Sequence, residues 1–226
     1  MTSMPDAVHN TIETLGERLR PGRKVKGIAA ALLPYDANGK VAVEAFQRHL
    51  QATHQAGLMN AVNMDTGYVN FLSDREKQDV LKWTRDALGK NVPFVAGAYV
   101  EGRDGDLVQL YRRELDLISS FDAIPIIFPT SRLHGKKSDE KVDTYRLVCK
   151  GYPQVLGFEL SPQFAPNGEI FDESTVTGLI EIPEMIGMKH SSLDRMLELD
   201  RLALRDRLRP EFRIFTGNDL GINMQG

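Results

Sequence analysis

The stretch MIGMK, residues 185–189, is one of seven short apolar segments that recur about every 30 residues along the chain. The other six are VKGIAAALL (25–33), MNAVNM (59–64), PFVAGAYV (93–100), AIPIIFP (123–129), QVLGFEL (154–160) and FRIFTG (212–217). Short segments that are apolar throughout are typical of parallel strands covered on both faces, and the amphipathic segments between them are typical of crossover helices. The sequence therefore predicts an α/β fold around a parallel sheet.

The segments between the predicted strands carry helix signals. Ser73 and Glu76 have the spacing of a capping box at the start of one helix. Apolar residues at helical spacing predict four faces that pack on the sheet: Val80, Trp83 and Ala87; Leu107, Leu110, Tyr111 and Ile118; Val142, Tyr145 and Cys149; and Met196, Leu199 and Ala203.

A closed barrel is favoured over an open doubly wound sheet. The chain has neither the GxGxxG of dinucleotide folds nor the GxxxxGK[ST] of a phosphate loop. Seven strands in regular succession indicate a (β/α)8 TIM barrel. Only GNDLGINMQG (217–226) follows the seventh strand, so we expect the eighth strand and the C-terminal helices to be missing from this chain. We divide the chain into an N-terminal extension, residues 1–24, and a barrel domain, residues 25–226.

Composition and charge indicate which partners and which cellular compartment to expect. The formal net charge of −3 comes from 28 basic and 31 acidic residues without long blocks of one sign, so we expect neither nucleic acid nor membrane as a partner. One cysteine, Cys149, and the absence of a signal-peptide core or an apolar membrane-spanning run indicate a cytoplasmic protein. The five histidines lack metal-binding spacing, and we predict neither a metal nor a cofactor.

Lys189 is the most informative residue for function. In TIM barrels the active site lies at the C-terminal ends of the strands, where Lys189 ends its apolar segment. Desolvation lowers the pKa of a lysine and frees its amine to attack a carbonyl. The alternative is a structural salt bridge from Lys189 to Glu159 or Asp219. Because strand side chains alternate, His190 should face the helices and Ser191 the barrel mouth.

Three segments carry a resemblance to a known family. IGMKHSSLD (186–194), GLMNAVNMDTGYVNFLSDREK (57–77) and IFTGNDLG (214–221) resemble motifs on strands six, two and seven of the dihydrodipicolinate synthase and N-acetylneuraminate lyase superfamily of class I aldolases. The resemblance implies that Lys189 is the Schiff-base lysine. It also implies a small-molecule carbonyl substrate and a homodimer or homotetramer.

The chain departs from the family pattern at the positions that move protons and bind a carboxylate. Pro162 places Glu159 where the family has its strand-five tyrosine, and Ile126 or a neighbour replaces the strand-four tyrosine. In the strand-two turn, Asp65 stands at the first threonine position and only Thr66 matches. A carboxylate at position 65 would repel the carboxylate of a bound pyruvate.

The sequence thus predicts a Schiff-base lyase, an aldolase or dehydratase, that acts on a keto acid or a sugar-derived carbonyl compound. Lys189 forms the imine and Glu159 moves protons. The predicted substrate-binding residues are Asp65, Thr66, Gly67, Ser191 and Asp219. Two alternatives stay open: a non-catalytic barrel that binds a small polyol or keto acid, and a divalent cation held by Asp65, Glu159 and Asp219.

Overall fold

A computed structural model describes residues 26–218, which form seven strands and six α-helices, numbered here in chain order. The strands are β1 (Ile28–Ala30), β2 (Met59–Val62), β3 (Val95–Ala98), β4 (Ile124–Ile127), β5 (Val155–Leu160), β6 (Met185–Ser191) and β7 (Arg213–Thr216). The helices are α1 (Val43–Gln55), α2 (Asp74–Leu88), α3 (Leu107–Ser119), α4 (Ser138–Cys149), α5 (Glu173–Ile180) and α6 (Arg195–Leu208). All seven predicted strands are confirmed. The predicted N-terminal extension, residues 1–24, lies outside the described residues.

The seven strands form one parallel sheet in which each strand pairs with the next along the chain, from β1 at one edge to β7 at the other. This order is that of a (β/α) barrel, in which every helix crosses over between neighbouring strands. Apolar side chains on the two faces of the sheet build two clusters. The inner cluster fills the barrel interior and comprises Ala61, Met64, Val69, Val95, Ile126, Phe128, Leu156, Phe158 and Leu160. The outer cluster lies between sheet and helices and includes Leu50, Leu81, Leu115, Val148, Leu179 and Leu204.

Local sequence explains most of the helices. Ser73 and Glu76 form the predicted capping box at the start of α2, with the Ser73 N–H donating to the Glu76 carboxylate at 2.8 Å. The predicted faces of α3 and α4 pack on the sheet, since Tyr111, Ile118 and Tyr145 are buried. Within the described part of the chain, no helix has the length and apolar composition needed to cross a bilayer.

The predicted packing face of α6 is wrong. Met196 and Leu199 are exposed, at 66% and 44% of their full surface, whereas the buried positions of this helix include Glu198, Arg201 and Arg205. The helix therefore turns a charged face toward the sheet. Buried charges require partners, which Glu159 of β5 supplies for Arg201 and the neighbouring Asp206 supplies for Arg205.

A one-residue bulge interrupts the pairing of β5 with β6. Val155 pairs with Met185 but Leu156 pairs with Gly187, so Ile186 is an extra residue in β6. Gly187 suits this position, because a Cβ there would lie 2.5 Å from the backbone oxygen of Arg213 in β7. From Gly187 onward, β6 is displaced by one residue relative to β5, and the displacement decides which face each following side chain occupies.

Candidate active site

Lys189 lies inside the barrel at the C-terminal end of β6. It pairs with Phe158 of β5 and Phe215 of β7, and its Nζ lies 4.3 Å from the centroid of the Phe158 ring. Burial lowers the pKa of Lys189, and the negative charge of Asp65 partly opposes this effect. The amine is therefore easier to deprotonate than an ordinary lysine.

The Lys189 ammonium has no carboxylate partner among residues 26–218. The alternative in which it forms a structural salt bridge with Glu159 is wrong, because Glu159 is bound elsewhere. Asp219, the other partner considered, lies outside the described residues. An amine that is half-buried beside an aromatic ring, with no ion pair among these described residues, is suited to nucleophilic attack.

Three aromatic side chains continue from Lys189 around the inside of the barrel. Phe158 contacts Phe128 edge-on with ring centroids 5.0 Å apart, and Phe128 contacts Tyr99 at 5.6 Å in the same geometry. We call Tyr99, Phe128 and Phe158 the aromatic row. Tyr99 is its one member with a hydroxyl group, and burial together with the charge of Glu101 raises the pKa of that hydroxyl. The row gives Lys189 an apolar surrounding.

The turn that follows β2 brings the predicted substrate-binding residues to the same end of the barrel. Asp65, Thr66 and Gly67 form a single 3-10 turn, which ends at Tyr68 with a left-handed backbone, φ 63°. Asp65 and Thr66 are exposed, and Gly67 is buried with little room for a side chain, because a Cβ would lie 3.2 Å from the oxygen of Ala31. Of these residues, Asp65 is the one whose charge acts on Lys189.

Ser191 occupies the next inward position of β6 after Lys189. It pairs with Leu160 of the inner cluster and is buried. Gly217 lies against it, so closely that a Cβ on Gly217 would lie 1.9 Å from the Ser191 hydroxyl oxygen. The predicted orientation of Ser191 toward the barrel interior agrees with this placement.

Glu159 is not in this site, and its predicted position beside Lys189 is wrong. It lies on β5 between two inner-cluster residues, Phe158 and Leu160, so its side chain points outward to the helices. The bulge in β6 separates the two residues, because it places His190 rather than Lys189 opposite Glu159 and turns Lys189 to the inner face. A group on the opposite face of the sheet cannot exchange protons with a substrate held on Lys189.

The Glu159 carboxylate is fully buried, and both of its oxygens accept hydrogen bonds. Arg201 of α6 donates to both of its oxygens at 2.9 and 3.1 Å, His190 Nδ1 at 2.8 Å and the Phe171 N–H at 2.8 Å. Burial acts to raise the pKa of Glu159, but the hydrogen bonds from His190 and Arg201 outweigh it and the pKa is lowered. Glu159 is thus ionised at neutral pH.

The three-carboxylate cation site does not form as considered from the sequence. Glu159 is separated from Asp65 by the sheet, and Asp219 lies outside the described residues. Within residues 26–218, no group of three His, Cys, Asp or Glu side chains lies close enough to hold a metal ion.

Sequence reasoning missed Arg201 and the contact of Tyr99 with the aromatic row. The apolar stripe of α6 predicts a packing face on the side of the helix opposite to Arg201. The spacing of Glu198, Arg201 and Arg205 places these charges on one face and is the signal that could have revealed it. Tyr99 directly follows β3, but only the fold shows that an aromatic row connects it to Lys189.

Solved enzymes share this architecture. A dihydrodipicolinate synthase from Acinetobacter baumannii, complexed with pyruvate, matches with a TM-score of 0.73 and 18% identity over 87% of this chain and 65% of that one. N-acetylneuraminate lyase from Mycoplasma synoviae matches with a TM-score of 0.68 and 18% identity over 88% and 65% of the two chains. The chain has the dihydrodipicolinate synthase fold.

Sequence comparison points the same way. The 4-hydroxy-tetrahydrodipicolinate synthase of Kosmotoga olearia is 20% identical over 197 residues, which is 86% of this chain and 64% of that protein. No protein-family model matches the chain. The chain spans less than two thirds of the length of the synthase and lyase relatives named above. The comparisons confirm the predicted barrel class and the resemblance to the dihydrodipicolinate synthase and N-acetylneuraminate lyase superfamily.

Proposed function

We propose that this chain is a Schiff-base-forming lyase, an aldolase or dehydratase, that acts on a keto acid or a sugar-derived carbonyl compound. The observation that carries the proposal is the Lys189 amine, which is half-buried against Phe158 and has no carboxylate partner among the described residues. The similarity to a lyase and to a pyruvate-bound synthase supports the same chemistry.

The reaction needs a free amine. Lys189 in its neutral form attacks the carbonyl carbon and gives a carbinolamine, whose hydroxyl leaves as water once it is protonated. The resulting iminium ion draws electrons from the neighbouring carbon, so a bond beside the former carbonyl can break. The apolar surrounding favours the neutral amine, because burial penalises the charged form.

A group other than Glu159 must move the protons. We assign this role to Asp65, whose charge acts on Lys189 and whose carboxylate is exposed at the same end of the barrel. The proposed substrate-binding residues are Asp65 itself, Thr66, Gly67, Ser191 and Asp219. Because an anionic Asp65 repels a carboxylate next to the carbonyl, a substrate that presents a hydroxyl group at this position is favoured.

One observation favours a second candidate function, a non-catalytic barrel that binds a small polyol or keto acid. The side chain nearest to Lys189 in the aromatic row is Phe158, which carries no transferable proton. A barrel without a relay could bind a carbonyl compound without turning it over.

Covalent trapping tests the proposal and separates it from the second candidate. The protein is treated with borohydride in the presence of pyruvate, other keto acids and 3-deoxy sugar acids, and its intact mass is measured. We expect an adduct in the wild type that is absent from Lys189→Ala. Lys77→Ala is the matched control, since Lys77 is buried and its pKa is also lowered by burial, yet it lies on α2. Calorimetric binding of a compound that gives no adduct would instead support the binding protein.

We also propose that the chain forms a homodimer or homotetramer, as the resemblance implies. Sedimentation velocity at micromolar concentration tests this proposal. A single boundary with the mass of the monomer would contradict it.

A further inference from the structure

A buried polar network lies directly behind Lys189, on the helix side of the sheet. Glu159 of β5, His190 of β6 and Arg201 of α6 are each at most 3% exposed and are joined by the hydrogen bonds described above. We call these three residues the rear network. They take no part in the proposed chemistry, because none of them faces the barrel interior.

The rear network bears on the orientation of Lys189 because two pairings of β5 with β6 compete. Continued without a bulge, the pairing of Val155 with Met185 would place Lys189 opposite Glu159, with both side chains on the helix side. That pairing brings opposite charges together and is locally attractive. In the observed pairing His190 lies opposite Glu159, and Lys189 lies opposite Phe158 inside the barrel.

The contacts of Glu159 favour the observed pairing. Arg201 donates to both oxygens of the Glu159 carboxylate in a bidentate contact, and the Phe171 N–H also donates to Oε1. Arg201 also donates to the Phe171 carbonyl at 2.6 Å, which ties α6 to the segment before α5. His190 Nδ1 completes the set, and it must carry the hydrogen since the ionised carboxylate can only accept. Glu159 is thus already neutralised without Lys189.

We propose that Glu159, His190 and Arg201 are positioning residues that hold β6 in the pairing that turns Lys189 into the barrel. The inference rests on the proposed function only in naming Lys189 as the reactive amine. In some proteins a buried polar contact fixes one register against another. The rear network would act on the reaction solely through the placement of Lys189.

The test compares Glu159→Gln and His190→Leu with the wild type. One readout is the pH dependence of Lys189 modification by trinitrobenzenesulfonate, followed by peptide mass mapping. The second is the rate of borohydride trapping with the carbonyl compound that labels the wild type. We expect both variants to move the midpoint of Lys189 modification upward, toward that of an ordinary lysine, and to slow trapping by about tenfold or more.

Two further variants separate positioning from simple loss of stability. His190→Asn keeps an N–H donor near the position of Nδ1, and we expect it to restore the wild-type midpoint and most of the trapping rate. Leu179→Ala removes a fully buried side chain of α5 that lies outside the rear network. It should lower the melting temperature without moving the midpoint of Lys189 modification.

The outcomes are distinct. An unchanged midpoint in a folded Glu159→Gln or His190→Leu variant would overturn the proposal, as would an equal shift in Leu179→Ala. If His190→Leu does not fold, Glu159→Gln, which conserves volume, decides alone. If the wild type gives no adduct with any carbonyl compound but the midpoint still moves in the variants, the positioning role stands and the proposed function fails.

Discussion

At the residue scale, burial and the charge of Asp65 act in opposite directions on the pKa of Lys189. Asp65→Asn removes the charge that favours the ammonium form, so the pKa of Lys189 should fall further below its ordinary value. We expect the pH dependence of Lys189 modification to move to lower pH. Asp86→Asn is the control, because Asp86 is an exposed carboxylate on α2 that pairs with Lys82. A shift to higher pH in Asp65→Asn would contradict the electrostatic assignment.

A second prediction at the residue scale concerns the close approach of strands inside the barrel. In Gly97→Ala the added methyl group would lie 2.1 Å from the backbone oxygen of Asn63 and 2.7 Å from the ring of Phe128. We expect the free energy of unfolding to fall by about 1–3 kcal/mol, as overpacking does in well-packed cores. Urea denaturation measures it. Gly157→Ala is the matched control, since its methyl would meet only side-chain atoms, Met185 Cε at 3.3 Å and Met188 Cγ at 3.4 Å, and should cost less.

The sequence predicts only part of the arrangement of side chains around Lys189. That Lys189 and His190 point to opposite faces of the sheet follows from the alternation of strand side chains, but which of them points inward depends on the bulge at Ile186. Whether Glu159 shares a face with Lys189 is likewise not predictable from alternation, because it depends on which residue of β6 lies opposite Glu159. Motif spacing counted back from Pro162 gives a sequence position but not a face of the sheet.

At the element scale, β6 and α6 show why local patterns fail. The bulge at Ile186 has no clear signal in the sequence, since the segment is apolar on both sides of it. The periodic apolar residues of α6 predict a face that the structure exposes. Arg201 turns inward instead because it pairs with Glu159, and these two residues are 42 positions apart in the chain. Hydrophobic periodicity contains no information about such a pair.

The start of α2 is a case in which local sequence is sufficient. The Ser73 hydroxyl accepts from the Glu76 N–H at 3.3 Å, and the Glu76 carboxylate accepts from the Ser73 N–H. We expect Ser73→Ala to lower the free energy of unfolding by about 1 kcal/mol, the usual effect of losing an N-cap. Urea denaturation at neutral pH measures the loss. Ser120→Ala, at the opposite end of a different helix, is the control and should have a smaller effect.

At the scale of the whole molecule, the barrel was predictable because its pattern is repeated. Seven apolar segments at regular spacing tolerate errors of one or two residues at each boundary and still define the order of the sheet. The active site does not tolerate such errors. A displacement of one residue between β5 and β6 exchanges the inner and outer faces for every residue that follows.

Glu159 links four parts of the molecule, namely β5, β6, α6 and the segment before α5, so its ionisation should influence global stability. Its pKa in the folded protein is lowered below the ordinary value of 4.5. A lowered carboxylate pKa contributes stability that is present above the unfolded-state pKa and is lost as the pH falls through the folded-state value. The rear network should therefore weaken under acidic conditions.

Glu159→Gln tests this linkage. At neutral pH we expect the variant to be less stable than the wild type by about 3 kcal/mol, because Arg201 keeps its buried charge without a compensating carboxylate. The difference should be constant from about pH 7 down to about 4.5, the ordinary carboxylate value, and should narrow as the pH falls further, since protonation of Glu159 removes the same interaction from the wild type. Urea denaturation across this range measures both curves. Glu173→Gln, an exposed change on α5, should run parallel to the wild type, and a Glu159→Gln curve that did the same would show that Glu159 is not the titrating group.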